Sequence, residues 1–132
     1  MTAHMRVEIV SPESVLFSGE ADMVIARTTQ GEVGIMKDHE PMLAALDNGE
    51  MRIYAGGSVR DRFAVYGGFM EMRENVVRVL SDDAEFASDI DRTDAERELD
   101  AAQNDLNADP DNAELERVYR RALVRAEVAR SQ

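Results

Sequence analysis

The chain has no cysteine, no tryptophan and only three prolines, and its aromatic residues amount to three tyrosines and four phenylalanines among 132 residues. Without cysteine there are no disulfides, no thiol nucleophile and no thiolate metal site. A reducing compartment fits that lack. With so few aromatics, aliphatic side chains and the eight methionines must fill the core. No stretch approaches the ~18 consecutive apolar residues of a membrane span. Met1 to Met5 carries neither the apolar run of a signal peptide nor an Arg-rich amphipathic transit sequence, so direct membrane insertion is not expected. Basic residues are also scarce: 15 Lys plus Arg oppose 27 Asp plus Glu, a formal charge of −12. A phosphate backbone requires a basic stripe that releases counterions, and this balance excludes nucleic acid as a partner.

What is present is a globular composition, 44% apolar and 32% charged. At this length one domain is the default, with room for a small appendage, and folding can bury roughly 68% of the unfolded surface. Up to about Ser81 the apolar residues recur with a period near two in short runs bounded by turns, the pattern of an all-β domain. Val7 and Ile9 alternate with Arg6 and Glu8, Val15 to Phe17 stops at Ser18-Gly19, and Met23 to Ala26 is nearly all apolar. Further strands are expected at Val33–Met36, Met42–Leu46, Met51–Ala55, Arg62–Tyr66, Phe69–Met72 and Val76–Leu80. Eight or nine short strands imply a sandwich or barrel. Gly56-Gly57, Gly67-Gly68, Asp47-Asn48-Gly49 and Glu74-Asn75 supply the turns.

After Asp89 the period becomes helical. Ala95, Leu99, Ala102 and Leu106 form one stripe of a helix starting near Thr93, which with Glu96 makes a capping box. Asp109-Pro110 then restarts the chain, with aspartate as N-cap and proline at the first helical position. The second stripe is Leu115, Val118, Tyr119, Ala122, Leu123, Ala126 and Ala129. A link of about three residues folds the two helices into an antiparallel hairpin. Because alanine buries little apolar area, a mobile hairpin is expected. The expected division is therefore a β-sandwich domain over 1–88 and a helical hairpin over 89–132.

Charge divides along the same lines. Residues 1–88 hold 15 acids and 8 bases, and residues 89–132 hold 12 acids and 7 bases, yet Asn112 to Arg130 has a net charge of +2. Arg117, Arg121 and Arg125 recur at i, i+4 and i+8, with Arg120 nearly on the same face. Two readings are open: a solvated face with cations near the C-terminal dipole, or a surface for an acidic partner. Catalytic constellations are missing. There is no nucleophile elbow, P-loop, dinucleotide fingerprint or H-E-x-x-H. His4 and His39 lie far apart in sequence, so no metal site is expected. Asp82 and Asp83 point to opposite faces of a strand end and do not share a proton. No nucleophile, base and orienting group can be assembled from these residues, so an enzyme comes a distant third behind two other readings, an assembly component and a stand-alone small-ligand-binding β-domain with a helical lid.

The segment Gly31-Glu32-Val33-Gly34-Ile35-Met36-Lys37-Asp38-His39-Glu40-Pro41-Met42-Leu43 resembles the epsilon subunit of the rotary F-type ATP synthase, bacterial type. Val10-Ser11-Pro12, Phe17-Ser18-Gly19, Gly67-Gly68-Phe69 and Asn75 to Asp82 extend the resemblance over residues 5–130. It implies β plus α architecture: a ten-stranded β-sandwich of two five-stranded sheets, followed by the two-helix hairpin. It also implies a noncatalytic rotor subunit, peripheral to the cytoplasmic face of the bacterial cell membrane through the complex. The implied partners are the gamma subunit, the c-ring, and the alpha and beta subunits. By the same resemblance, Glu32 and His39 are candidates for contact with the c-ring, although Lys37-Asp38 stands where proline and glycine often occur. Arg117, Arg120, Arg121 and Arg125 would meet the acidic catalytic head and inhibit ATP hydrolysis. Ile90, Asp91 and Ala95 match part of a nucleotide-binding motif of some members, but Asp94 replaces the motif arginine and would repel phosphate. No cofactor is expected.

Overall fold

A computed structural model describes residues 5–131, so His4 lies outside the described residues. Ten strands come first: β1 (Met5–Val10), β2 (Val15–Ala21), β3 (Met23–Thr28), β4 (Gly31–Met36), β5 (Met42–Leu46), β6 (Gly49–Ala55), β7 (Ser58–Val65), β8 (Gly68–Arg73), β9 (Val76–Leu80) and β10 (Ala84–Phe86). A 3-10 turn, Ala87–Asp89, leads into α1 (Arg92–Ala108) and α2 (Ala113–Arg130). The hydrogen-bonded order is β10-β7-β6-β3-β5-β8-β9-β1-β2, with β4 on the other side of β3. Two groups of five strands are joined through a single residue pair between β3 and β5, Thr28 with Leu46. The ladder therefore runs on from one layer of the sandwich to the other.

Period-two alternation aims the core. Met5, Val7 and Ile9 of β1 are fully buried, as are Val77 and Val79 of β9, which runs parallel to it. Phe63 lies at the centre, its ring 5.3 Å from Phe17 and 4.4 Å from Phe86. Met51, Met70 and Met72 fill the space around it, as the scarcity of aromatics requires. Gly68 permits the tight return from β7 to β8. Its φ is +109°, and a Cβ there would stand 2.2 Å from the Leu80 carbonyl oxygen.

Periodicity alone undercounts the strands. β10 has three half-buried residues, too few to display a period, and it pairs with Phe63 to Val65 of β7. β2 does not stop at Ser18-Gly19 but runs to Ala21, because Ser18 and Gly19 pair with Glu8 and Val7 of β1. Neighbouring backbone outweighs the weak strand preference of glycine.

Both helix starts also differ from expectation. Asp91, not Thr93, caps α1, its Oδ1 accepting the Asp94 N–H at 2.9 Å. Asn112, not Asp109, caps α2, its Oδ1 accepting from Glu114 and Leu115 at 3.0 and 3.2 Å. Pro110 forces the residue before it out of the helical region, so Asp109 (φ −148°, ψ 71°) ends α1 instead of opening α2. The hairpin rests on the β6–β7 side of the sandwich. Its seal is rich in small groups: Ala64, Ala87 and Ile90 precede the helices, which add Ala95, Leu99, Ala102, Ala122, Ala126, Val128 and Ala129, with half-buried Tyr66, Tyr119, Leu123 and Val124 packed against them. Each alanine methyl contributes about 0.8 kcal/mol. Val118, expected in the apolar stripe, is 45% exposed, and Val128 is buried in its stead.

Candidate partner-binding surfaces

Glu32 lies near the start of β4 and His39 in the loop that follows it. Glu32 leaves the sheet on its outer face, where its Oε1 accepts from Arg52 at 3.1 Å. Arg52 also donates to Tyr54 and Glu50. The Tyr54 hydrogen bond and then the Glu50 bond hold its guanidinium pKa above the ordinary arginine value, against the effect of burial. Glu32 therefore carries a partly neutralised charge. His39 is exposed in the loop after β4, with its Nδ1 2.7 Å from the Glu40 carbonyl oxygen. From Glu32 to Met36 the strand alone spans about 13 Å, so the two residues do not form one site.

The loop that carries His39 is fixed by an unusual clasp. Asp38 adopts φ 66° and Asn75 φ 60°, left-handed conformations that glycine would reach without strain. The Asp38 N–H donates to Asn75 Oδ1 at 2.7 Å, and Asn75 Nδ2 donates back to Asp38 Oδ1 at 3.1 Å. An aspartate thus holds a left-handed conformation because the β8–β9 turn braces it.

Sequence reasoning missed the open face of the sandwich. Ala45, Phe69 and Leu80 stand in register across β5, β8 and β9, with Leu43 two residues along β5. Leu43, Phe69 and Leu80 are 72, 55 and 50% exposed. A signal was present: Met42-Leu43-Ala44, Phe69-Met70 and Val79-Leu80 put apolar residues on both faces of strands that border solvent on one side, where alternation should give polar ones.

The four candidate arginines of α2 fall into two pairs, while a fifth, Arg130, is ion-paired with Glu96 of α1. Arg117 and Arg120 project into solvent and bind only their own helix, at 2.7 Å to Glu114 and 2.8 Å to Glu116. Arg121 and Arg125 turn toward the sandwich. Arg121 lies 3.8 Å from the centre of the Tyr66 ring and is ion-paired with Asp83. Arg125 donates through Nε to Glu85 at 2.9 Å and through Nη1 to Glu98 of α1 at 3.0 Å. The Tyr66 hydroxyl donates to the same Glu85 oxygen at 2.7 Å. Partial burial pushes the Glu85 pKa up, but the hydrogen bonds from Arg125 and Tyr66, with the nearby arginine charges, outweigh it and hold the carboxyl below its usual range. Burial first, and then that same bond, push the Tyr66 hydroxyl above the usual phenol range. Local folding places these groups: the Ser81 hydroxyl donates to the Asp83 carbonyl, which also accepts the Tyr66 N–H.

Ile90 and Ala95 are buried in the hairpin seal, and Asp91 spends its carboxylate on the α1 cap. All three therefore have packing or capping roles here. A groove of about 280 Å³ between the helices is lined by Glu98 and Asp105 as well as Arg121 and Arg125, so acids oppose its bases. A larger cleft of about 500 Å³ separates α2 from the outer sheet and brings Glu32 and Arg120 to one space. Among the described residues no cluster of His, Cys, Asp or Glu could hold a metal ion, and no helix is long and apolar enough to cross a membrane.

Residues 4–87 match the family described as ATP synthase, Delta/Epsilon chain, beta-sandwich domain. The ATP synthase epsilon chain of Herpetosiphon aurantiacus is 42% identical over 129 residues, covering 96% of this chain and 94% of that one. That of Streptomyces avermitilis is 39% identical over 108 residues, 82% and 87% of the two chains. A chain of the Euglena gracilis mitochondrial ATP synthase shares the fold at a TM-score of 0.74 and 22% identity, covering 98% of this chain and 79% of that one. A β-sandwich with a trailing helical pair and this likeness along nearly the whole sequence agree: the chain belongs to the ATP synthase epsilon chain family, the noncatalytic rotor-stalk subunits of that complex.

Proposed function

We propose that the chain links the gamma subunit to the c-ring, so that proton flow drives ATP synthesis, and that its hairpin restrains ATP hydrolysis. The observation that carries this reading is the unequal cover of the two outer faces of the sandwich. One face lies under the hairpin, whereas the other leaves Leu43, Phe69 and Leu80 open to a partner. Apolar side chains standing together on an outer sheet face are suited to a lasting protein contact, and gamma is the occupant we assign to them. Glu32 and the clasped His39 loop are the residues offered to the c-ring. Arg117, Arg120, Arg121 and Arg125 are offered to acidic segments of the alpha and beta subunits, where guanidinium and carboxylate pair bidentately. The chain then acts as two domains, 1–88 for coupling and 89–132 for regulation, and sits at the cytoplasmic face of the membrane through the complex alone. Regulatory ATP has no part in this reading, since Asp94 stands where a base would face phosphate. The alternative of a stand-alone β-domain with a helical lid is set aside by membership of the family.

Deleting residues 89–132 tests the division of labour. In the reconstituted complex, proton-driven synthesis is expected to persist while ATP hydrolysis rises. Hydrolysis unchanged by the deletion would show that this hairpin is not inhibitory.

A further inference from the structure

The hairpin is held to the sandwich by a small seal and one polar node. The seal consists largely of alanines that bury one methyl each, whereas the node joins three segments far apart in sequence. Tyr66 follows β7, Asp83 and Glu85 flank the start of β10, and Arg121 and Arg125 come from α2. We propose that this node is a salt-sensitive latch that keeps the hairpin closed and withholds Arg121 and Arg125 from any acidic partner.

Geometry supports a latch over a scatter of surface ion pairs. Glu85 accepts two bonds from Arg125 and one from Tyr66, and the Arg125 side chain is only 20% exposed. Such multiply bonded, part-buried pairs hold far more firmly than exposed ones. Arg121 completes the node by stacking on the same Tyr66 and pairing with Asp83. Arg117 and Arg120 have no bond to the sandwich and stay available in the closed state. An acidic surface can therefore engage the outer pair first, and must then replace the carboxylates of Asp83, Glu85 and Glu98 to take the inner pair.

This inference rests on the reading of the hairpin as a movable regulatory element, and the test separates the two. The natural chain has no cysteine, so Ser58→Cys with Ser131→Cys places spin labels uniquely on exposed ends of β7 and α2. Ser131 borders the same depression as Val59 and Arg60, so the closed form gives a short distance. Glu85→Gln is expected to raise the ratio of open to closed chains by about tenfold or more. Tyr66→Phe, which keeps the ring under Arg121, is expected to raise it less. Glu85→Gln and Arg125→Gln together are expected to do little more than either alone, because both break one node. Salt raised from 0.1 to 0.5 M is expected to open the natural chain several-fold and the double variant less. Unchanged distances in Glu85→Gln, or independent multiplication of the two effects, would overturn the latch. Opening of the labelled hairpin with unchanged hydrolysis by the assembled complex would keep the latch and reject the inhibitory reading.

Discussion

Glu85 gathers more of the molecule than its position suggests. Three bonds from two side chains meet on one carboxylate that lies 40 residues before Arg125. In the folded chain its pKa lies below the ordinary value of 4.5. A group with a depressed native pKa stabilises the fold above its unfolded value and loses that contribution as pH falls through the native one. The hairpin attachment is thus complete above about pH 4.5 and weakens in acid. Carboxyl-carbon NMR should show Glu85 titrating below 4.5 in the natural chain and at higher pH in Arg125→Gln, where only Tyr66 and Arg121 still oppose burial; a natural midpoint above 4.5 would contradict the network. Single residues were unevenly legible in the sequence. The spacing of the arginines was readable at i and i+4, but nothing local announced that Asp83 and Glu85 would fold against them. Likewise Lys37-Asp38 read as a departure from a proline-glycine loop, and only the contact with Asn75 explains how aspartate holds a left-handed conformation.

At the scale of elements, periodicity served well wherever a segment was long enough to repeat. Nine strands and two helices followed from alternation and helical stripes, whereas β10, with three residues, carried no period to read. Helix boundaries failed for a different reason. Asp91 and Thr93 are both able to cap α1, and Asp109 and Asn112 to cap α2, so composition alone could not choose. The fold chose Asn112, whose oxygen serves two N–H groups. Asn112→Ala should therefore lower stability by about 1 kcal/mol, read from the urea midpoint of α2 helicity, while Asp109→Ala should cost less. Equal losses would contradict Asn112 as the cap of α2.

For the whole molecule, the two outer faces explain more than the net charge of −12 does. Charge excluded nucleic acid but named no partner, and the basic stretch of α2 turned out to be half engaged at home. The open sheet face escaped sequence reading because buried and exposed apolar residues look alike in a strand; exposure distinguished Phe69 from Phe17, Phe63 and Phe86, which meet inside. Calorimetric titration of the full chain into its own complex's gamma subunit tests this arrangement most directly. Phe69→Asp, a change at an exposed position that spares the core, should weaken a one-to-one complex by about 30-fold or more. Binding by Phe69→Asp as tight as that of the natural chain would contradict the assignment of this face.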